Sequence, residues 1–202
     1  DGDGFSDEVE ILNGTSPTNS ASRPSYPYKL WTRIWGSAAV DRSYAGTAID
    51  ASGNVYVAGE TTGAFDGQTN AGGQDLCLTK WGPDGTKQWT RMWGSAVAGL
   101  DECRGLAADA SGNVYVAGET DSAFDGQTNS GSYDMCLTKW APDGSKQWTR
   151  IWGSSAMDFG GAVAVDATGA VYVVGLAHAA FDGQPYVGDF DVCLTKFAPD
   201  GT

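Results

Sequence analysis

Short runs of alternating apolar and polar residues, separated by glycine-rich turns, follow one another from residue 29 to the end of the chain. Runs such as Asn54-Val-Tyr-Val-Ala-Gly and Asp75-Leu-Cys-Leu-Thr-Lys-Trp have the period of two that is typical of β-strands. Pro-Asp-Gly turns lead out of the second kind of run and favour tight hairpins, because proline fixes φ and glycine accepts positive φ. Helical periodicity is not sustained in these runs, so the pattern predicts an all-β fold.

The same series of runs occurs three times, in repeats that span residues 29–86, 87–145 and 146–202. Trp31, Trp89 and Trp148 set the period at 58–59 residues. Each period holds four predicted strands: an apolar run ending in aspartate, an Asn-Val-Tyr-Val run, an Asp-x-Cys-Leu-Thr-Lys run and a Trp-Thr-Arg-x-Trp run. Four up-and-down strands are typical of one β-propeller blade, so we predict three four-stranded blades. A single threefold arrangement of all the strands, such as a trefoil or prism, is the alternative.

The repeats resemble the SBBP-type β-propeller repeat of bacteria, which joins an Asp-x-x-Gly-Asn-x-Tyr-Val-x-Gly segment to an Asp-x-x-x-x-Lys strand. The residues that carry the pattern in the first repeat are Asp50, residues 53–57, Asp75 and Lys80. The third repeat departs from it, with Gly169-Ala170 in place of Gly-Asn. The resemblance extends over residues 29–202 and implies a propeller fold, a secreted or cell-surface location and no defined catalytic residues.

The fourth run of each repeat places two tryptophans and an arginine on one face of a strand. In the second repeat these residues are Trp89, Arg91 and Trp93, which alternate with Thr90 and Met92. We expect this face to contact the neighbouring blade, with the guanidinium stacked on an aromatic ring. Stacking on a carbohydrate is the alternative.

The two ends of the repeat region are complementary. Residues 29–36 have the sequence of an outermost strand without a blade of its own, and the last repeat ends after its third strand. Three blades are too few to close a ring, so we expect the first strand to complete a blade of another copy, as a closed ring or a filament. The residues of this assembly strand are Leu30, Trp31, Arg33, Ile34 and Trp35. The alternative is an excised piece of a longer multi-blade chain.

A leader and linker, residues 1–28, precede the repeats. Residues 1–10 read Asp-Gly-Asp-Gly-Phe-Ser-Asp-Glu-Val-Glu, a spacing of oxygen ligands that matches positions 3 to 12 of a calcium loop. The predicted calcium ligands are Asp1, Asp3, the Phe5 carbonyl, Asp7 and Glu10. Residues 1–20 resemble the thrombospondin type 3-like repeats of bacterial surface proteins. An acidic, disordered terminus is the alternative.

Two further residue series recur once per repeat. Aspartates bracket the long loop of each repeat and could hold secondary ions, although capping of turns explains them as well: Asp66, Asp75, Asp125, Asp134, Asp182 and Asp191. Cysteines occupy one position of the third strands, where we expect small buried side chains: Cys77, Cys136 and Cys193. Equivalent positions on neighbouring blades are too far apart for a disulfide, whereas Cys103 stands apart and could pair with one of them.

Composition narrows the range of functions. The 25 acidic residues against 12 lysines and arginines give a net charge of −13, which disfavours nucleic acid and anionic membranes and suits calcium. No stretch is long and apolar enough for membrane insertion as a helix. The single histidine, His178, has no motif partner, so a Ser/His/Asp or Cys/His site is not expected.

The sequence therefore predicts a non-enzymatic structural protein outside the cell or on its surface. We expect it to associate with copies of itself into a filament, a tube or a surface coat. The alternative is a binding module that holds a glycan or a protein with the loops on one rim of the propeller.

Overall fold

Three separate antiparallel sheets make up the computed structural model of the protein, which describes residues 29–202. Every helix or strand assigned in that part of the chain is a β-strand, so the all-β prediction is confirmed. No segment among those residues forms a helix able to span a membrane. The chain divides into two units, residues 1–35 and 36–202, and all twelve described strands lie in the second.

The three sheets are called blades 1, 2 and 3 below. Blade 1 contains β1 (Asp41–Arg42), β2 (Thr47–Ile49), β3 (Val55–Thr61), β4 (Asp75–Trp81) and β5 (Lys87–Trp93). Blade 2 contains β6 (Asp101–Ala108), β7 (Val114–Thr120), β8 (Asp134–Trp140) and β9 (Lys146–Trp152). Blade 3 contains β10 (Phe159–Val165), β11 (Val171–Ala177) and β12 (Asp191–Phe197).

Within each blade, every strand pairs with the next one along the chain, except that β1 and β2 both pair with β3 and together replace one edge strand. Each ladder between the described strands lies within one sheet, and the fourth strands of the first two sheets, β5 and β9, come from the start of the following repeat. The separate sheets favour propeller-type blades over one threefold arrangement. Blades 1 and 2 have the predicted order of four strand positions. Blade 3 has three strands, as expected if its fourth strand comes from elsewhere.

One aspartate closes the hairpin between the first two strand positions of each blade. The Oδ1 atom of Asp109 accepts a hydrogen bond from the Asn113 backbone at 2.9 Å, and the Asn113 amide donates to Oδ2 at 2.8 Å. In blade 3, Ala170 replaces the asparagine, and the Thr168 hydroxyl donates to Asp166 at 2.6 Å. This hydrogen bond and those from the backbone lower the pKa of Asp166 to about 2. The hairpin turn of blade 3 therefore forms although Ala170 replaces the asparagine.

Every blade has two faces that differ in residue type. The leucine face carries Tyr56, Ala58, Leu76 and Leu78 in blade 1, and Tyr115, Ala117, Met135 and Leu137 in blade 2. The valine face carries Val114, Val116, Cys136 and Trp140 in blade 2, and Val171, Val173, Cys193 and Phe197 in blade 3. The leucine face of each of the first two blades packs against the valine face of the next, which forms two hydrophobic cores.

Each Trp-Arg-Trp strand also fastens its blade to the following one. From β5, the indole nitrogen of Trp93 donates to the Thr138 hydroxyl at 3.1 Å, and Arg91 Nε donates to the Gly144 carbonyl at 2.7 Å. From β9, the equivalent bonds run to Thr195 and Gly201 at 3.1 and 2.7 Å. The predicted inter-blade role of these side chains is therefore confirmed for both junctions.

The four cysteines are free thiols, so Cys103 forms no disulfide. Cys103 and Cys136 are buried, whereas Cys77 and Cys193 are partly buried. Burial raises the pKa of the Cys77 thiol to about 12, which keeps it protonated at neutral pH. These thiols act as small core side chains.

Candidate strand-acceptor site on the third blade

The outward edge of β12 is the place where blade 3 differs from the other two. In blade 2 the corresponding strand β8 pairs with β9 through six residue pairs, from Met135↔Trp152 to Trp140↔Lys146. Among residues 29–202, no strand pairs with that side of β12. A bare strand edge presents unpaired backbone donors and acceptors, so it is a template for a further strand.

The long loops of blades 1 and 2 share one geometry, in which an aspartate binds the fourth strand of its own blade. Asp66 has φ of 51° and accepts hydrogen bonds from the Lys87 ammonium at 2.6 Å and the Thr90 hydroxyl at 2.7 Å. Asp125 has φ of 52° and binds Lys146 and Thr149 at the same distances. Both lysines and both threonines belong to the fourth strand of the blade.

The equivalent aspartate of blade 3, Asp182, has the same backbone conformation, with φ of 51°. It lines a cleft of about 680 Å³ that runs along β12 and is also bordered by Phe181, Tyr186 and Thr195. Within the part of the chain that the structure describes, no lysine or threonine reaches the Asp182 carboxylate. The strand-acceptor cleft, as we name it, consists of the β12 edge and this loop.

The sequence of residues 29–35 is that of β9 with one exception, Leu30 in place of Gln147. These residues belong to the first unit and form no strand; Leu30 and Ile34 are 68% and 96% exposed. The Arg33 guanidinium lies over the Trp31 ring at 5.4 Å, compared with 5.5 Å for Arg150 over Trp148 in β9. Arg33 and Trp31 are therefore stacked as Arg150 and Trp148 are, and the role of residues 29–36 as an assembly strand stays a prediction.

The structure leaves two sets of predicted metal ligands as predictions. Asp1, Asp3, Phe5, Asp7 and Glu10 lie outside the described residues, so the calcium loop is not tested. Across residues 29–202, no group of three or more histidine, cysteine, aspartate or glutamate side chains is placed to hold a metal ion.

The two aspartate series that bracket the loops have different contacts. Asp66 and Asp125 bind lysines, as described above, and Asp182 faces the cleft. Asp75, Asp134 and Asp191 each accept a hydrogen bond from a backbone amide four residues earlier in the loop. The contacts of both series are therefore those of loop and strand ends, and a shared ion is only a prediction.

His178 lies in a loop contact and not in a catalytic arrangement. Its ring stacks on Phe190 with centroids 4.4 Å apart, and Nε2 lies 3.3 Å from a carboxylate oxygen of Asp189. Neither contact supplies a nucleophile. The interaction therefore fits stabilisation of the loop beside the cleft.

Buried pairs of carboxyl groups at the blade junctions were not foreseen from the sequence. Asp75 and Asp101 are both fully buried and flank Gly94, and Asp134 and Asp158 flank Gly153 in the same way. A methyl group at Gly153 would lie 2.6 Å from an oxygen of each aspartate, so the two carboxyl groups are neighbours. Burial and the neighbouring charge both raise the pKa of Asp101 and of Asp134.

The second members of the pairs, Asp101 and Asp158, do not stand at a constant distance from the serines they bind, so no sequence motif marks them. Asp101 and Asp158 bind the backbone amides of Ser95 and Ser154, which lie six and four residues earlier. Burial raises the pKa of Asp101 to about 6, and the charges of Asp75 and Asp121 contribute, against opposing hydrogen bonds from Thr120 and the Ser95 amide. Burial also raises the pKa of Glu119 to about 7, despite its bond to Arg104.

We expect the protein to become more stable as the pH falls from about 7 to about 5. Because the pKa of Asp101 is about 6 in the folded protein and about 3.9 in an unfolded chain, the folded state binds the proton more tightly. The gain should be on the order of 1 kcal/mol and should end near pH 4. There the unfolded chain begins to bind protons at carboxylates such as Asp50, whose pKa is lowered in the folded protein by hydrogen bonds from Asn54 and Tyr56.

Urea denaturation followed by circular dichroism between about pH 4 and 8 measures this gain. Asp101→Asn is the matched variant, since its neutral amide should raise stability at pH 8 and flatten the curve. A free energy of unfolding that rises steadily from pH 5 to 8 in the wild type would contradict the assignment.

Comparison with known proteins agrees with the geometry. The beta-propeller repeat model SBBP matches residues 88–125, which contain most of β5, all of β6 and β7 and the loop up to Asp125. The Regulatory protein FlaEY of Caulobacter vibrioides is 29% identical over 170 residues, which cover 75% of this chain. The chain spans only 17% of the length of that relative. This protein is thus an all-β protein of β-propeller-type repeats, one of which matches the SBBP repeat.

Proposed function

We propose that the chain is a non-enzymatic interaction module that associates with copies of itself outside the cell or on its surface. Residues 29–36 of one copy add to β12 of another and complete its third blade. The single observation that carries the proposal is the strand-acceptor cleft, in which Asp182 repeats the conformation of Asp66 and Asp125 but has no lysine or threonine partner among residues 29–202.

The register of β8 and β9 defines the expected contacts. Lys29 takes the place of Lys146 and Thr32 that of Thr149, so both side chains would bind Asp182. Trp35 takes the place of Trp152 and would lie opposite Val192. The backbone would extend the sheet by one strand, which is a common mode of recognition between chains.

Two further features of the proposal come from the sequence. The acidic leader would bind calcium through Asp1, Asp3, Phe5, Asp7 and Glu10. The relative that this chain matches over 17% of its length bears the name of a regulatory protein, which suits a module that acts by binding. A chain with a further repeat could fill the same cleft from within, and a glycan or protein ligand is the other alternative.

Charge exchange between Lys29 and Asp182 tests the proposal on the whole 202-residue chain. Lys29→Asp and Asp182→Lys should each weaken self-association by about tenfold, because each places like charges in a partly buried site. An equimolar mixture of the two variants should restore it, since each strand then meets an acceptor of opposite charge. Thr128→Lys is the control, because it adds a positive charge to an exposed loop residue of blade 2 that lies outside the cleft.

Sedimentation velocity and negative-stain imaging measure the association. Restored assembly in the mixture, together with an unchanged control, is the expected result. A wild-type chain that stays monomeric at all concentrations, or variants that assemble as well as the wild type, would overturn the proposal. A monomer that retains a sugar or peptide would favour the binding-module alternative.

A further inference from the structure

A row of aromatic side chains lies at the end of blades 2 and 3 where the second strands end and the third strands begin. The centroid of the Tyr133 ring lies 5.8 Å from that of Phe159, and the centroid of Phe159 lies 6.0 Å from that of Phe190. Phe190 stacks on His178, whose ring lies 6.2 Å from that of Tyr186. Phe190 is 44% exposed, and the other four residues are partly buried. These five side chains are called the aromatic strip below.

Polar residues occupy the corresponding positions at the junction of blades 1 and 2. Tyr133 and Phe190 immediately precede their third strands, where blade 1 has Gln74. Phe159 follows a buried aspartate, as Glu102 does in blade 2. Between blades 1 and 2 these positions are joined by a hydrogen bond from the Gln74 amide to Glu102 at 3.5 Å. Between blades 2 and 3 they are joined by the ring contact of Tyr133 and Phe159 instead.

The long loop of blade 3 also carries a ring where the other two loops have a structural amide. Asn70 of blade 1 and Asn129 of blade 2 donate to the carbonyls that end the second strands, at 3.2 and 3.0 Å. Tyr186 stands at this position in blade 3, and its hydroxyl donates to the Asp189 carbonyl at 2.6 Å. Repeats with otherwise similar sequences thus differ together at one surface. A change of residue type that is concentrated in loops at one place favours recognition over a role in the folding of the blade.

The electrostatic surroundings of the strip are negative. Burial raises the pKa of Tyr133, and the charge of Asp121 contributes. At the other end of the strip, the Asp189 side chain is 92% exposed, and one of its oxygens lies 3.3 Å from Nε2 of His178. The whole chain has a net charge of −13. These charges repel the phosphates of a nucleic acid, whereas aromatic rings and carboxylates both attract a cation.

The spacing of the rings matches that of side chains along an extended peptide. Alternate residues of a β-strand lie on one face and are about 6.6 Å apart, since each residue advances about 3.3 Å. The steps from Tyr133 to Phe159 and from Phe159 to Phe190 are 5.8 and 6.0 Å. An aromatic ring attracts an ammonium or guanidinium group within about 6 Å of its centroid. Basic side chains two residues apart therefore fit neighbouring rings of the strip.

We propose that the aromatic strip binds an extended basic segment of a partner protein, with lysine or arginine side chains at alternate positions. Cation–π contacts with the rings hold these side chains, and Asp189 pairs with one of them. This role is separate from self-association, because the strip lies at the ends of strands and not along the edge of β12. Tyr186 also borders the strand-acceptor cleft, so the variants below leave it unchanged.

A short labelled peptide that alternates arginine and serine is the probe, and fluorescence anisotropy with the full chain measures its binding. Phe190→Ala should weaken binding by about fivefold or more, whereas Phe190→Tyr should keep most of it, since a tyrosine ring also attracts cations. Asp189→Asn should weaken binding by about twofold to threefold, as expected for an exposed ion pair. Val187→Ala is the matched control, because Val187 is an apolar residue of the same loop and is 79% exposed.

The charge and the spacing of the peptide are tested separately. Binding should weaken as salt is added, a peptide of glutamate and serine should not bind, and a peptide with its arginines in one block should bind more weakly than the alternating one. Equal binding to Phe190→Ala and to the wild type would overturn the proposal. So would retention of a neutral oligosaccharide by a chain that ignores the arginine peptide. Sedimentation velocity should show unchanged self-association in Phe190→Ala, so strand addition and peptide binding can fail independently.

Discussion

Replacing Trp93 with alanine should lower the free energy of unfolding by about 3–5 kcal/mol. The Trp93 side chain is 5% exposed and lies in the core between blades 1 and 2. Its ring meets that of Trp140 edge-on with centroids 4.9 Å apart, and its indole nitrogen donates to the Thr138 hydroxyl at 3.1 Å. Truncation would therefore leave both a cavity and a buried hydroxyl that loses its donor.

Two further alanine variants serve as comparisons for the stability loss of Trp93→Ala. Trp152 makes the same contacts with Phe197 and Thr195 at the junction of blades 2 and 3, but it is partly exposed, so its truncation should cost less. Gln88→Ala, at an exposed position of β5, should have almost no effect. Urea denaturation monitored by far-ultraviolet circular dichroism gives all three values. Equal losses for Trp93→Ala and Gln88→Ala would show that the indole does not hold the two blades together.

Gly118→Ala should destabilise blade 2 by about 3 kcal/mol or more, although it adds only one methyl group. A Cβ atom at Gly118 would overlap the carbonyl oxygen of Glu102 and lie 3.2 Å from the Cα atom of Cys103. Both are backbone atoms of β6, next to the irregularity in its pairing with β7 between Cys103 and Gly105. Because backbone cannot rotate away as a side chain can, the two strands would have to separate.

Gly126→Ala separates this steric effect from the conformational preference of glycine. Gly126 has φ of 72°, but nothing lies within 4 Å of a Cβ atom placed there. We expect a loss of about 1 kcal/mol from the left-handed backbone alone. Thermal unfolding of both variants provides the comparison. A Gly118→Ala protein that melts at or above the temperature of Gly126→Ala would refute the steric argument.

Much of the fold could be predicted because the information is local. Alternation in runs such as residues 54–59 defines strands and their faces, and Pro-Asp-Gly sequences define the hairpins. The repetition of Trp, Arg and Trp on one face indicated a contact between blades, which Trp93 and Arg91 make. The shortage of one strand in the last repeat could also be read from the order of the motifs.

The candidate site was predictable only in part. The sequence predicts residues 29–36 as an assembly strand and the last repeat as the one that lacks a fourth strand. It does not single out Asp182 as part of the acceptor, because the spacing of Asp182 indicates only a turn cap or an ion ligand. Lys87 and Thr90 donate hydrogen bonds to Asp66 although they lie 21 and 24 residues further along the chain. Sequence spacing does not reveal such contacts. The buried carboxyl pairs were missed for the same reason, since their members belong to different blades.

By itself, the sequence determined that residues 29–202 form three similar β units and the order of strands in each unit. Those properties follow from the side-chain period and the turn residues, which act over a few positions. Only the tertiary structure decided which faces meet, that Asp75 lies beside Asp101, and that the apolar side chains of Val192 and Leu194 in blade 3 are exposed to solvent. Packing brings together residues that are distant in the chain, and their burial and charge then depend on neighbours that no local pattern specifies.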